Sequence, residues 1–362
     1  MPTLIVTNDF PPRTGGIESF VRTVCGLLDD DVVILTRSEP HLQTDQYDAG
    51  LGFPVHRVAG PLLPTPRLAK TALALAVEHQ TSSVLFGAAA PLALLSRPLR
   101  PLAARAVALT HGHEVWWSRV PGTRGALRRI GADVDALGVI SDHTAYAISG
   151  ALRAADRRKL VTLPPPVDLT RFSPGPPCPD PVVLAAGRLV PQKGFSTLLD
   201  AWPAVLQHLP DARLRIVGEG PDRRRLERRA RALRGVTFLG AQPHGVMPVV
   251  YRSARVLALP VRSLLHGLYA EGRGLVFSEA AACGLPVVVG DSGGAPETVV
   301  DGVTGSVVPP EDPAALAASV LSYLADPAAA REAGLRGREH VRRTSEAGLV
   351  RARLRHALGL PG

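Results

Sequence analysis

Short, largely apolar runs alternate along the chain with longer stretches of helical spacing. The runs at 3–8, 32–36, 55–58, 83–86, 107–110 and 136–140 are rich in Val, Ile and Leu and bounded by Gly, Pro, Asn or Asp. They predict buried strands. Helical periodicity occupies 17–28, 67–80, 124–131 and 142–154. Strands and helices alternating at this interval predict a parallel sheet covered on both faces. From Leu163 to Pro181 a proline cluster interrupts the pattern. Proline blocks both helix interiors and central strands, so this segment predicts a linker. The alternation then restarts, with strands at 182–186, 214–217, 236–239, 256–259 and 287–289. Helices follow at 194–209, 222–233, 247–253, 313–325 and 328–343, and a last helix, 346–358, lies beyond the repeated pattern. The expected organisation is a first α/β domain at 1–165, a linker at 166–181, a second α/β domain at 182–345 and a terminal helical segment at 346–362.

Length and composition agree with two α/β domains: 362 residues, 46% hydrophobic, mean hydropathy +0.12. No apolar run reaches the about 18 residues of a membrane span, and no signal segment is read at the start. Cys25, Cys178 and Cys283 are scattered without metal spacing, which fits a reducing cytoplasm. The net charge is +9, and its placement adds to the picture. Residues 51–130 hold ten Arg or Lys and two acids, against three bases and eight acids in residues 1–50. Such a block implies an anionic partner surface. No zinc finger, recognition helix or aromatic RNA-binding motif is visible, so nucleic acid is not the expected partner.

The chemistry-bearing residues fall just after predicted strands. Glu271 lies in a glycine-bounded loop, and Glu279, eight positions on, is about one turn into an apolar helix ending near Gly284. A loop carboxylate can face a ligand, and one inside the helix can accept hydrogen bonds from vicinal hydroxyls such as those of a ribose. Between them the helix start at Gly274, Leu275 and Val276 offers unpaired amides and a positive dipole end suited to a diphosphate. One glutamate alone reads as a solvated charge; the constellation reads as a site. Arg188 and Lys193 flank another helix start, where the dipole disfavours cations unless an anionic ligand joins them. Gly15 and Gly16 follow the first strand and open a helix, either as an ordinary tight turn or as an anion-binding loop. The loop is not a G-x-G-x-x-G fingerprint, and no acid stands where a dinucleotide site needs one. His111 ends a strand at the carboxyl edge of the sheet, as a hydrogen-bonded structural residue or a ligand contact. His113 and Glu114 follow it; they lack the spacing of a helical zinc motif, and Glu114 is placed to orient a histidine. Residues 292–297 form a further glycine loop, in which Glu297 is a capping candidate. The Asp29–Asp31 and Asp133/Asp135 pairs precede strands, at the wrong edge for a metal site, and read as solvated turns. Trp116 and Trp117 are core residues or an acceptor-lining pair, and Arg67 and Lys70 sit in an apolar stretch compatible with a membrane surface. The arginine-rich helix from Arg223 to Arg234 reads as a solvated face.

Together these motifs resemble the retaining glycosyltransferases of family 4, whose E-x7-E element corresponds to Glu271 and Glu279. Within that family the chain is similar to the actinobacterial mannosyltransferases acting on phosphatidylinositol monomannoside. That likeness rests on the runs 7–17, 86–95, 110–115, 127–131, 188–191 and 292–297. The resemblance implies a GT-B fold: two Rossmann-like domains facing a cleft, with the C-terminal helix returning to the first domain. It implies a nucleotide-sugar donor, GDP-mannose, with no cofactor and no metal. It assigns Glu279 to the ribose, Arg188, Lys193, Gly15 and Gly16 to the diphosphate, and His111 and Glu271 to the sugar. It implies an inositol-lipid acceptor and peripheral attachment to the inner face of the plasma membrane; oligomeric state stays open. Two departures bear on the donor. The stretch 262–270 is apolar where the family is more polar and glycine-rich, and 242–246 lacks an acid before the helix near Tyr251. Two alternatives follow: a same-fold transferase using another nucleotide sugar and a soluble acceptor, or a sugar-nucleotide-binding protein without turnover.

Overall fold

The computed structural model describes residues 1–361 apart from residues 14, 40, 102, 266 and 268. It divides into two compact units, Met1–Pro166 with Ala347–Gly362, and Val167–Glu346.

The first unit is a parallel sheet of β1 (Thr3–Val6), β2 (Val32–Arg37), β3 (Val55–Val58), β4 (Ser83–Phe86), β5 (Arg105–Leu109), β6 (Ala136–Val139) and β7 (Leu160–Thr162). Its order is β3-β2-β1-β4-β5-β6-β7, so the chain reverses direction across the sheet between β1 and β4. Helices α1 (Gly16–Leu27), α2 (Thr44–Ala49), α3 (Pro66–Glu78), α4 (Ser96–Leu99), α5 (Glu114–Arg119), α6 (Pro121–Asp133) and α7 (Asp142–Ser149) connect the strands. Alternate residues of β1 enter different cores. Leu4 and Val6 join a cluster under α3 and α6, while Ile5 joins one under α1 and the C-terminal helix. Burial on both faces is why these strands are continuous apolar runs.

The second unit holds β8 (Val182–Ala186), β9 (Arg213–Val217), β10 (Val236–Gly240), β11 (Val256–Leu259), β12 (Val287–Gly290) and β13 (Gly305–Val308), in the order β10-β9-β8-β11-β12-β13. Its helices are α8 (Phe195–His208), α9 (Arg223–Ala230), α10 (Met247–Arg252), α11 (Leu275–Ala282), α12 (Pro313–Ala325) and α13 (Pro327–Thr344). Here the reversal lies between β8 and β11. Ligands of open α/β sheets collect at the carboxyl ends of the strands flanking such a reversal. Arg188 and Lys193 follow β8, and Glu271 and Glu279 follow β11.

The terminal helix α14 (Ala347–Leu358) belongs to the first unit. Val350, Leu354 and Leu358 are buried with Ile5, Val24 and Leu28. Arg351 makes a double ion pair with Asp29 at 2.6 and 2.7 Å, and Arg355 adds a third contact at 3.3 Å.

Three expectations are corrected. Residues 167–181 are not a free linker. Val167 and Phe172 are buried in the second core, and Arg338 donates to the carbonyls of Leu169, Phe172 and Ala282. The prolines forbid regular elements but leave carbonyls for an arginine to collect. Asp29, Asp30 and Asp31 form the half-exposed turn that was expected, but Asp133 and Asp135 are largely withdrawn from water. Asp29 anchors α14, Asp30 pairs with Arg22, and Asp135 accepts from the Ala106 amide at 2.8 Å and from Arg100 at 3.0 Å. The helix expected over 142–154 stops at Ser149, and a separate 3-10 turn covers Ala154–Lys159.

Candidate active site

In the first unit, Gly15 is the N-cap of α1, in extended conformation. A Cβ there would overlap the carboxylate of Glu18, which is buried in the first turn. An acid is favourable at a helix N-terminus, and Arg13 neutralises it with Nε 2.7 Å from Glu18 Oε1. Arg13 also reaches Asp9 at 3.4 Å. The diglycine loop therefore presents a guanidinium as well as amides, which sequence reasoning missed. The only signal was an arginine and a glutamate flanking the glycines. Thr14 of this loop lies outside the described residues.

His111 follows β5. Its Nε2 lies 2.6 Å from the Gly87 carbonyl, which accepts only, so Nε2 carries the proton and Nδ1 keeps its lone pair. The ring meets Phe20 edge-on at 5.4 Å and lies near-parallel to His113 at 6.4 Å. Burial pushes the imidazole's pKa below its ordinary 6.5, opposed by the charge of Glu114. Glu114 is fully buried. Its Oε2 accepts the His111 amide at 3.0 Å, and its Oε1 lies 3.1 Å from His113 Nε2. It fixes the backbone of His111 and approaches the ring of His113.

Trp116 and Trp117 belong to α5, a six-residue helix that periodicity could not show. Trp116 is 40% exposed, whereas Trp117 is half-buried and packs on the core under α3 and α6. Arg67 and Lys70 are exposed on α3, whose other face is buried. A hollow of about 320 Å³ opens beside Arg67, lined by Leu62, Leu63, Thr65 and Thr71 among others.

In the second unit the geometry is closer-knit. β8 gives way at Gly187 to the turn that carries Arg188 and the 3-10 segment Pro191–Lys193, which leads into α8. Lys193 Nζ lies 2.5 Å from Glu271 Oε2, so the cation and the first glutamate are in direct contact. Arg188 is exposed, and among the described residues its side chain has no hydrogen-bond or ion-pair partner.

The loop that carries Glu271 is held from below. Gly294 N–H donates to the Glu271 carbonyl at 2.8 Å. Gly293 takes the left-handed conformation (φ 61°), and a Cβ there would overlap the same carbonyl oxygen. The glycines at 293–294, expected to open a ligand loop, thus seat the backbone of the first glutamate. Arg273 completes the seat. It is 5% exposed, its Nη1 lies 3.2 Å from Glu297 Oε2 and its Nη2 3.4 Å from Ser345 Oγ. A buried arginine needs such partners to offset the loss of water. Glu297 is accordingly an anchor for this arginine as well as a capping candidate.

Gly274 caps α11 with φ 81°, and the first amides of the helix, on Leu275 and Val276, find no backbone acceptor among the described residues. Glu279 is buried. Tyr251 donates its hydroxyl to Glu279 Oε2 at 2.7 Å, and His244 Nε2 lies 2.6 Å from Oε1. Burial and the Glu279 charge hold the Tyr251 phenol well above its ordinary range, so it stays a donor. Phe172 lies against both rings, at 5.5 Å from His244 and 6.2 Å from Tyr251. His244, Tyr251 and Phe172 escaped sequence reasoning, although the altered 242–246 stretch marked the place. In the other altered stretch, Leu264 and Tyr269 pair across a tight turn and Leu265 and Tyr269 are exposed. His266 and Leu268 lie outside the described residues.

Known proteins now give this arrangement a context. The family model described as glycosyl transferases group 1 matches residues 167–340. A GDP-mannose-dependent alpha-(1-6)-phosphatidylinositol monomannoside mannosyltransferase of Mycolicibacterium smegmatis is 42% identical over 355 residues, 92% of each chain. A GDP-mannose-dependent monoacylated alpha-(1-6)-phosphatidylinositol monomannoside mannosyltransferase of Corynebacterium glutamicum is 39% identical, over 94% of this chain and 93% of its own. Among solved structures, Anabaena HepE in complex with UDP superposes with a TM-score of 0.80 at 18% identity, covering 99% of this chain and 100% of that one. Sucrose-phosphate synthase from Thermosynechococcus elongatus does so at 0.77 and 24%, over 98% of each. These likenesses establish the GT-B fold. With the sequence relatives and the family model, they place the chain among the glycosyl transferases group 1: it is a glycosyltransferase.

Proposed function

We propose that the protein transfers mannose from GDP-mannose to a phosphatidylinositol mannoside with retention of the anomeric configuration. The observation that carries this reading is the joint presence of the Arg188, Lys193, Glu271 and Glu279 set with near full-length relatives that bear this activity in their names. In this account Glu279, oriented by Tyr251, takes the ribose hydroxyls. Arg188 and Lys193 hold the diphosphate, with the free amides of Leu275 and Val276. His111 and Glu271 position the sugar. An acceptor hydroxyl bonds to the anomeric carbon as the carbon–oxygen bond to phosphate breaks, on the same face of the ring. The hydroxyl proton passes to the departing phosphate oxygen. The charge that develops on the diphosphate is met by fixed side-chain cations, with no metal in the scheme.

A thermal-shift panel of nucleotide sugars tests the donor. GDP-mannose is expected to raise the melting temperature, and a response confined to UDP ligands contradicts the assignment. The departure from the family pattern at 262–270 supports a second reading: another donor sugar, with a soluble acceptor. Flotation with anionic liposomes at low salt separates the two. Binding supports a lipid acceptor approached through the α3 face and Trp116; no binding favours the soluble acceptor.

A further inference from the structure

We propose that His244 is a removable cap on Glu279, occupying the place on that carboxylate which a nucleoside's ribose hydroxyl must take. This rests on the assignment of Glu279 to the ribose. The carboxylate is closed from both sides. Tyr251, fully buried, donates to Oε2 from within, at 2.7 Å. His244 covers Oε1 at 2.6 Å from without. With both in place the Glu279 side chain is 4% exposed, while the His244 side chain is 54% exposed. A ribose therefore cannot reach Glu279 without moving one of the two, and only the histidine has open space to move into.

The donor side of this contact is fixed by chemistry. A carboxylate accepts, so His244 Nε2 supplies the hydrogen, as a ribose hydroxyl would. The ring is mounted to leave. It sits at the start of a 3-10 turn, His244–Val246, behind Pro243, and its only ring neighbour among the described residues is Phe172. Tyr251, by contrast, is embedded in α10 and in the core of the second unit. The two donors thus divide the work: Tyr251 holds the carboxylate's orientation in every state, and His244 holds its outer oxygen until a nucleoside replaces it. The position belongs to the 242–246 stretch, so a residue of this chain that departs from the family pattern sets how hard the nucleotide site is to enter.

Calorimetric titration of the full chain tests this, with GDP, UDP and 2′,3′-dideoxy-GDP as probes against wild type, His244→Ala, His244→Gln and Glu279→Gln. Removing the competing donor is expected to tighten GDP about threefold to tenfold in His244→Ala, the scale of one ordinary net hydrogen bond. The dideoxy nucleotide, which has no hydroxyl to place on Glu279, should bind wild type and His244→Ala alike. His244→Gln keeps a donor at similar reach and should stay near wild type. GDP binding to His244→Ala that is unchanged or weaker overturns the cap, as does an equal change for GDP and its dideoxy analogue. Glu279→Gln separates this failure from that of the underlying reading. If it binds both GDP and UDP as tightly as wild type, the ribose assignment itself falls.

Discussion

His111 shows what one partly buried ring contributes. Burial lowers its pKa below 6.5, so the folded protein holds the neutral form with Nε2–H on the Gly87 carbonyl. The unfolded chain takes up a proton near 6.5 and the folded one does not until lower pH. The stabilisation is therefore fully present above 6.5 and lost as pH falls through the folded value. His56, also lowered by burial, acts in the same direction. Urea midpoints at about pH 5 and pH 7.5 should consequently fall more on acidification for wild type than for His111→Gln. Arg188 gives a different residue-scale test. Its side chain has no partner among the described residues, so Arg188→Ala should leave the melting temperature unchanged. As a diphosphate ligand it should still cost about a hundredfold in kcat/KM. A stability loss with intact turnover would make it a structural arginine.

At the scale of elements, the first glutamate depends on a loop three segments away. Gly293 at φ 61° and the Gly294 amide carry the Glu271 carbonyl, and Arg273 ties the same loop to Glu297. Gly293→Ala places a Cβ on that carbonyl oxygen in a backbone region costly to other residues. It should destabilise the second unit by about 1–3 kcal/mol and raise the KM for donor, so that stability and donor binding fall together, unlike in Arg188→Ala. Steady-state kinetics with denaturation of the same sample checks both. The sequence made some of this legible. Strands buried on both faces were readable because a run such as 256–259 is apolar throughout, whereas β7, α2 and α5 were not, being three to six residues long and too short to show a period. Glu279 was readable from its spacing to Glu271. Its partners Tyr251 and His244 stand 28 and 35 residues away in sequence and meet it only through packing of α10 on α11. Arg273 was hidden because a charged residue between glycines reads as exposed until its acceptors are known.

For the whole molecule, the chain closes its first unit last. Val350, Leu354 and Leu358 of α14 fill a core begun by β1, and each buried side chain of this size is worth about 1.5–3 kcal/mol. Their sum is comparable to a domain's entire margin of about 5–15 kcal/mol. A chain ending at residue 346 should thus lose the cooperative unfolding of the first unit, followed by circular dichroism, while the second unit retains nucleotide-induced stabilisation. Asp29→Ala removes only an exposed ion-pair cluster and should cost about 1 kcal/mol or less. The two units otherwise have separate cores, consistent with two restarts of one strand–helix pattern in the sequence. The most direct test of the proposed transfer supplies labelled GDP-mannose and phosphatidylinositol monomannoside in detergent with EDTA present, and determines the anomeric configuration of the product by NMR. An α-mannosyl lipid formed without added metal is the expected product; a β-linked product, or transfer only from a UDP-sugar, would contradict the proposed reaction.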